Sequence, residues 1–236
     1  MSIAVRQAVQ ASNSLSAQTS LAAPAVTVLA GSYIFVIATI RGGGTFSVPT
    51  DGTNTYTQIS STVIGNGVRI GSFVAGPVSA GTYTVTSNFT STTYPTIAVA
   101  EITGSTGLDT AGTDYSTNYQ AASGTGTGVV TSGNCTPSTA GLIIGATLDT
   151  QISQVMSADT TDGYTDLFPA APFWRFSGGT NKGAMEYMLY SSTAPLPALF
   201  NVATSTQTLT AAAIFAATGA PLSPYMDYQT QPRLAQ

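Results

Sequence analysis

The stretch ADTTDGYTDL, residues 158–167, carries three carboxylates, Asp159, Asp162 and Asp166. Clustered carboxylates beside a glycine are what calcium takes as ligands, with carbonyls and water completing the shell. An EF-hand loop, however, needs acidic or amide residues at alternate positions, glycine at the sixth and a closing Glu. Here, counting from Asp159, glycine stands fifth and no Glu follows. The residues fit a turn better, each Asp bonding to backbone N–H groups just ahead of it. No metal or cofactor is expected. Glu101 and Glu186 are the other carboxylates with conceivable chemistry, as a glycosidase-like pair. Nothing in the sequence makes them converge, and an edge or interface role is the simpler expectation.

The chain has no histidine. That removes the commonest general base, the Ser–His and Cys–His nucleophile pairs and the usual zinc ligand. A Ser–Lys pair would need a desolvated lysine, and Lys182 in GGTNKGAM sits in a glycine turn that suits a solvated charge. Cys135, the one cysteine, has no partner for an internal disulfide and reads as a small buried thiol. SGTGTG at 123–128 lacks both the G-x-G-x-x-G spacing and a following Lys, so it is a connector and not a phosphate loop. No catalytic residue is assigned, and the chain is not expected to be an enzyme.

Two stretches could bind a partner. APFWRF, residues 171–176, holds the sole tryptophan, and Trp174 with Arg175 could stack on a sugar or anchor a protein interface, against a competing role as a core plug. In the sugar-binding alternative, Phe173 and Tyr164 join Trp174 as a stacking platform. APLSPYMDYQTQPRLAQ, after Gly219, has three prolines and no periodicity, which suits an extended arm and not a central strand. Pro221, Pro224, Tyr225, Tyr228 and Arg233 are its candidate contacts. NFT at Asn88 and NCT at Asn134 match the glycosylation pattern, which chance explains in a chain so rich in Ser and Thr.

The elements that position these residues are strands. Short Thr-, Val-, Ile- and Tyr-rich segments alternate with Gly, Ser and Pro, and helical periodicity is nearly absent. Strands are predicted at 3–11, 15–22, 33–41, 55–63, 68–75, 82–87, 95–103, 127–133, 141–148, 163–168, 184–191, 198–203 and 207–216. The order echoes itself. AGSYIFVIAT at 30–39 is answered by AGLIIGAT at 140–147, and DGTNTYTQI by DGYTDL, so that Asp51 is matched to Asp162. Likewise, 68–86 parallels 184–202 and 96–104 parallels 210–219. In this reading Asp51 and Gly52 are a turn, the aspartate held by local hydrogen bonds and the glycine at positive φ.

The expected fold is an all-β antiparallel sandwich, jelly-roll-like, in one domain over 15–218. Its pseudo-repeated halves, about 30–104 and 140–219, pack face to face on one shared core. Residues 1–14 form an arm or first strand and 219–236 an extended arm. Charged residues are 7% of the chain, against about 25% in an ordinary soluble domain. Ser, Thr, Gly, Asn and Gln must therefore supply the polar surface, which suits contact with other protein. Six basic against ten acidic side chains argue against nucleic acid as a partner. The first residues, MSIAVRQAVQASNSLSAQ, interrupt apolar positions too often for a secretory signal. YIFVIATI at 33–40 is far short of the ~20 residues of a membrane helix.

The order SLAAPAVTVLAGSYIFVIATI, DGTNTYTQI, VRIGSFVAGPVSAGTYTVT and TIAVAEITG resembles a family of β-sandwich domains frequent in phage virion proteins and bacterial surface proteins, including capsid decoration or cement proteins and tail or fibre proteins. The resemblance implies a non-enzymatic virion part made in the host cytoplasm. It implies a capsid decoration protein bound to the major capsid protein through its sandwich and arms, as a homo-oligomer such as a trimer. A carbohydrate-binding tail-fibre or adhesin module is the alternative.

Overall fold

A computed structural model describes residues 2–12, 17–41, 44–59, 63–65, 67–110, 115–121, 128–149, 156–169, 183–202 and 207–218. The first half runs β1 (Ala4–Ser12), β2 (Gln18–Ala22), β3 (Val26–Val28), β4 (Tyr33–Arg41), β5 (Thr57–Gln58), β6 (Val63–Gly65), β7 (Val68–Ala75), β8 (Gly81–Tyr83) and β9 (Thr86–Thr103). The second runs β10 (Ser105–Leu108), β11 (Tyr115–Ala121), β12 (Gly128–Thr131), β13 (Gly141–Asp149), β14 (Met156–Ala158), β15 (Thr165–Asp166), β16 (Gly183–Tyr190), β17 (Leu199–Val202) and β18 (Gln207–Ala217). A 3-10 turn, η1 (Thr160–Asp162), precedes β15.

Two large antiparallel sheets dominate. One has the order β1-β9-β4-β7-β5, with β2 added along β9 and β6 along β7; the other has β10-β18-β13-β16-β15, with β11 also on β18. The central order is the same in both, β9-β4-β7-β5 against β18-β13-β16-β15. Two small sheets, β3-β8 and β12-β17-β14, complete the body.

The large sheets share a core. Phe35, Ile37, Ala100 and Ile102 from the first meet Leu142, Ile144, Met185 and Phe215 from the second. Phe215 lies edge-on to Phe35, with ring centroids 6.0 Å apart at 89°, the geometry that aromatic quadrupoles prefer. Each large sheet also buries its other face. Ile34, Val36, Phe73 and Val99 pack with Val26, Val28 and Tyr83 of the β3-β8 side. Ile143, Ala184 and Ile214 pack with Val130, Met156 and Phe200 of the three-stranded sheet. The layers are therefore four, small-large-large-small. Strands β4 and β13 are covered on both faces, which is why they read as unbroken apolar runs and not as alternation.

The antiparallel sandwich expected from the sequence is present, but its cores differ from the expectation. Beside the shared core, each half holds one of its own. The expected strand at 82–87 divides between β8 and the start of the long β9, which also contains all of 95–103, while 55–63 spans the short strand β5 and reaches into the short β6. Strands β3, β10, β11 and β14 were not anticipated, since they are short or, like YSTNYQA in β11, polar. Matching Ala38-Thr39 to Ala146-Thr147 also fails at the level of single residues. Ala38 faces the outer core of its half, whereas Ala146 faces the shared core. With a side-chain period of two, a slip of one residue exchanges the faces, so β4 and β13 hold the same place in their sheet orders but that pairing of residues fails.

Residues 4–12 form an edge strand of the first large sheet, paired with β9. Residues 219–236 lie outside the described residues, as do 123–127 of the predicted connector.

Candidate functional site

Four carboxylates, Glu101, Asp109, Asp159 and Glu186, stand among the buried polar side chains of this body, and each accepts hydrogen bonds that hold strands or loops in place. Glu101 lies on β9 and is buried. Its Oε1 accepts from Leu29 N and from Ser32 Oγ, each at 2.8 Å. Its Oε2 accepts from Arg6 Nε at 2.6 Å and Gln7 Nε2 at 2.7 Å. Consecutive strand residues ordinarily point to opposite faces, yet Arg6 and Gln7 reach the same oxygen. A β-bulge between Val5 and Gln7 allows this, because the extra residue breaks the alternation. Gln7 Nε2 also donates to Thr27 O at 2.6 Å, and an Arg6 guanidinium nitrogen donates to the same carbonyl. Burial pulls the Glu101 carboxyl upward, but the bonds from Leu29, Gln7, Ser32 and Arg6 outweigh it and hold the group below the usual carboxylate range.

Glu186, in the middle of β16, is wholly buried. Leu199 N donates to its Oε1 at 2.8 Å, and Asp159 N to its Oε2 at 3.1 Å. No arginine or lysine among the described residues pairs with it. Asp166 stands directly across from it on β15. Burial pushes its carboxyl up to about 8, with the charges of Asp159 and Asp166 adding and the two backbone bonds opposing. Gly145 lies opposite on β13, where an added Cβ would stand 2.4 Å from Ala198 Cβ. A glycine there lets the chain before β17 approach closely enough for Leu199 N to reach the carboxyl.

Two further aspartates hold their own turns, and a third, Asp109, reaches across 29 residues. Asp51 accepts from Thr53 N at 2.9 Å, Asn54 N at 2.8 Å, Asn54 Nδ2 at 2.7 Å and Tyr56 Oη at 2.9 Å. Gly52 has φ +80°, so this is the turn expected from the sequence. Burial raises the Asp51 carboxyl, and the bonds from Asn54, Thr53 and Tyr56 bring it below the usual range. Asp159 caps η1, accepting from Thr161 N at 3.2 Å and from the Thr161 hydroxyl. Asp109 is buried and holds Ser138 N at 2.6 Å.

The matching of Asp51 to Asp162 is corrected by this geometry. Asp51 precedes the buried Tyr56 as Asp159 precedes the buried Tyr164, and both carboxylates accept the N–H two residues on. Asp162 is exposed. Within the acidic cluster, Asp159 and Asp166 accept from the backbone N–H two residues ahead, Asp166 from Phe168 N at 2.8 Å, which is the Asx-turn geometry.

Glu101 and Glu186 do not meet. Glu101 shares its face of β9 with Ile97 and Val99, which belong to the outer core of the first half. Glu186 shares its face of β16 with Ala184, in the outer core of the second. Both large sheets and their common core separate the two carboxyls. Tyr164 is no stacking platform either, since it is 5% exposed and its hydroxyl donates to Pro197 O. Cys135 is the buried thiol expected. Asn88 is half-buried in β9, and Asn134 is exposed. Phe173, Trp174, Arg175, Lys182, Pro221, Pro224, Tyr225, Tyr228 and Arg233 lie outside the described residues.

Sequence reading missed Arg6, Gln7 and Asp109. The one available signal was an Arg-Gln pair interrupting the alternation of AVRQAVQAS. Comparison with protein-family models, with curated proteins and with solved structures found no match. No helix among the described residues is long and apolar enough to cross a membrane.

Proposed function

We propose that this chain is a non-enzymatic structural protein of a phage virion, a capsid decoration protein that lies on the shell of major capsid subunits as a homo-oligomer. We also infer that its two halves are copies of one sandwich unit, joined back to back. The repeated order of strands in the large sheets supports that origin.

The observation that carries the functional reading is where the charges go. Glu101, Asp109, Asp159 and Glu186 are buried, so four of the ten carboxylates contribute nothing to the outside of a chain that is already 7% charged. Each is spent on fastening the chain to itself. What remains outside is a four-layer body with a Ser- and Thr-rich exterior. A surface of that kind favours standing against other protein, since the cores of protein interfaces are depleted in charge. The carbohydrate-binding alternative loses Tyr164 from its platform.

The test is co-sedimentation with assembled shells of the major capsid protein, imaged by electron microscopy. The full chain is expected to decorate them at regular positions. A chain lacking 220–236 is expected to keep its β-sheet circular dichroism and lose occupancy. Absence of the full chain from the shells would sink the reading, and binding to a glycan array that is lost in Trp174→Ala would replace it with the adhesin. Full occupancy by the truncated chain would remove the arm's role.

A further inference from the structure

Glu186 fastens two separate pieces of the outer layer, the residue before η1 through Asp159 N and the start of β17 through Leu199 N. The groups facing it are acidic or weakly acidic. Asp166 is directly opposite on β15. Asp159 and Asp162 come from the η1 turn, Tyr164 follows it, and Cys135 and Tyr190 lie in or beside the same core. On β13 its neighbour is Gly145. Among the described residues no cation faces it. A charge taken out of water without a counter-ion is far costlier than the neutral acid in the same place.

We propose that Glu186 is a proton-operated latch on the outer layer of the second half: uncharged, it holds β17 and the η1 turn against β16, and its ionisation loosens them. The direction follows from linkage. In the closed latch the carboxyl is pushed up to about 8, whereas an opened, hydrated carboxyl returns to the ordinary range near 4.3. The closed state therefore holds its proton more tightly. Opening becomes easier as pH rises from the ordinary range towards 8, and is independent of pH above that. Neutral pH falls on the slope. Leu29 N, held by the cation-paired Glu101, is an internal reference in the same molecule.

Hydrogen exchange of the full chain, corrected for the base-catalysed intrinsic rate, reads the latch directly. The opening constant at the Leu199 amide is expected to rise close to tenfold per pH unit between about pH 5 and 8, then level off, while that at Leu29 shows no such rise. Glu186→Gln should flatten the Leu199 profile. A Leu199 profile that follows the intrinsic rate alone, or a wild-type slope retained in Glu186→Gln, would overturn the proposal. Should the variant not fold, carbon-13 titration of the wild-type Glu186 carboxyl decides: an inflection near 8 supports the latch, and a midpoint in the ordinary carboxyl range overturns it.

Discussion

Glu101 and Glu186 are both buried glutamates on strands of a large sheet, both turned outward, and both hold a backbone N–H of the chain that covers them. One has a guanidinium at 2.6 Å; the other faces Asp166 across the ladder. The same residue type is thus held below its usual range in one half and pushed to about 8 in the other. Burial alone does not decide the charge of a carboxyl. The hydrogen bonds that reach it matter as much: those from Leu29, Gln7, Ser32 and Arg6 outweigh burial at Glu101, whereas the two from Leu199 and Asp159 do not at Glu186.

The comparison is broken most severely by removing Glu101. Glu101→Ala strands the Leu29 N–H and frees β1 from its anchor, and is expected to lower unfolding stability by about 3 kcal/mol in chemical denaturation. Arg6→Met is the sharper variant, because it leaves a buried carboxyl without its cation, as Glu186 is among the described residues. The Glu101 carboxyl should then titrate higher than in the wild type, read by carbon-13 shifts. Gly145→Ala presses a methyl onto Ala198, 2.4 Å from its Cβ. It should cost about 1–3 kcal/mol and raise exchange at Leu199 while leaving Leu29 unchanged.

Next in size, Asp51→Ala leaves the Tyr56 hydroxyl and two turn N–H groups without their acceptor, for about 1–2 kcal/mol in thermal or denaturant unfolding. Asp159→Ala should lie in the same range, whereas Asp162→Ala stays within about 0.5 kcal/mol. Equal costs at Asp159 and Asp162 would undo the correspondence between Asp51 and Asp159. In pH titrations, Glu101 contributes stability that is full above the ordinary carboxyl range and is lost as pH falls through its lowered value. Glu186 contributes most below that range, and its contribution is lost as pH rises towards 8. The first half should therefore be the one that loosens in acid.

Much of the fold was legible because strand signals are local. Apolar runs and turn residues placed β4, β7 and β13 to within a residue of either end, and the chemistry of Asp51 and Gly52 foretold their turn. Short or polar strands such as β3 and β11 escaped, since their formation depends on the strands beside them more than on their own residues. The candidate site was less legible. Glu101 and Glu186 stood out as acids within strands, but the faces they occupy follow from register, and register changes with a slip of one residue.

By itself the sequence determined an all-β body, the places of its central strands, its Asx turns and the absence of any imidazole chemistry, all of which depend on residue type and spacing along the chain. The tertiary structure alone decided that there are four layers and three cores, and that Arg6 meets Glu101 across 95 residues while Glu186 meets Asp166. A carboxyl's charge in the interior is set by what stands within a few ångströms of it in space, and for these two glutamates that is fixed by sheet pairing, a single bulge and the backbone that closes over each of them.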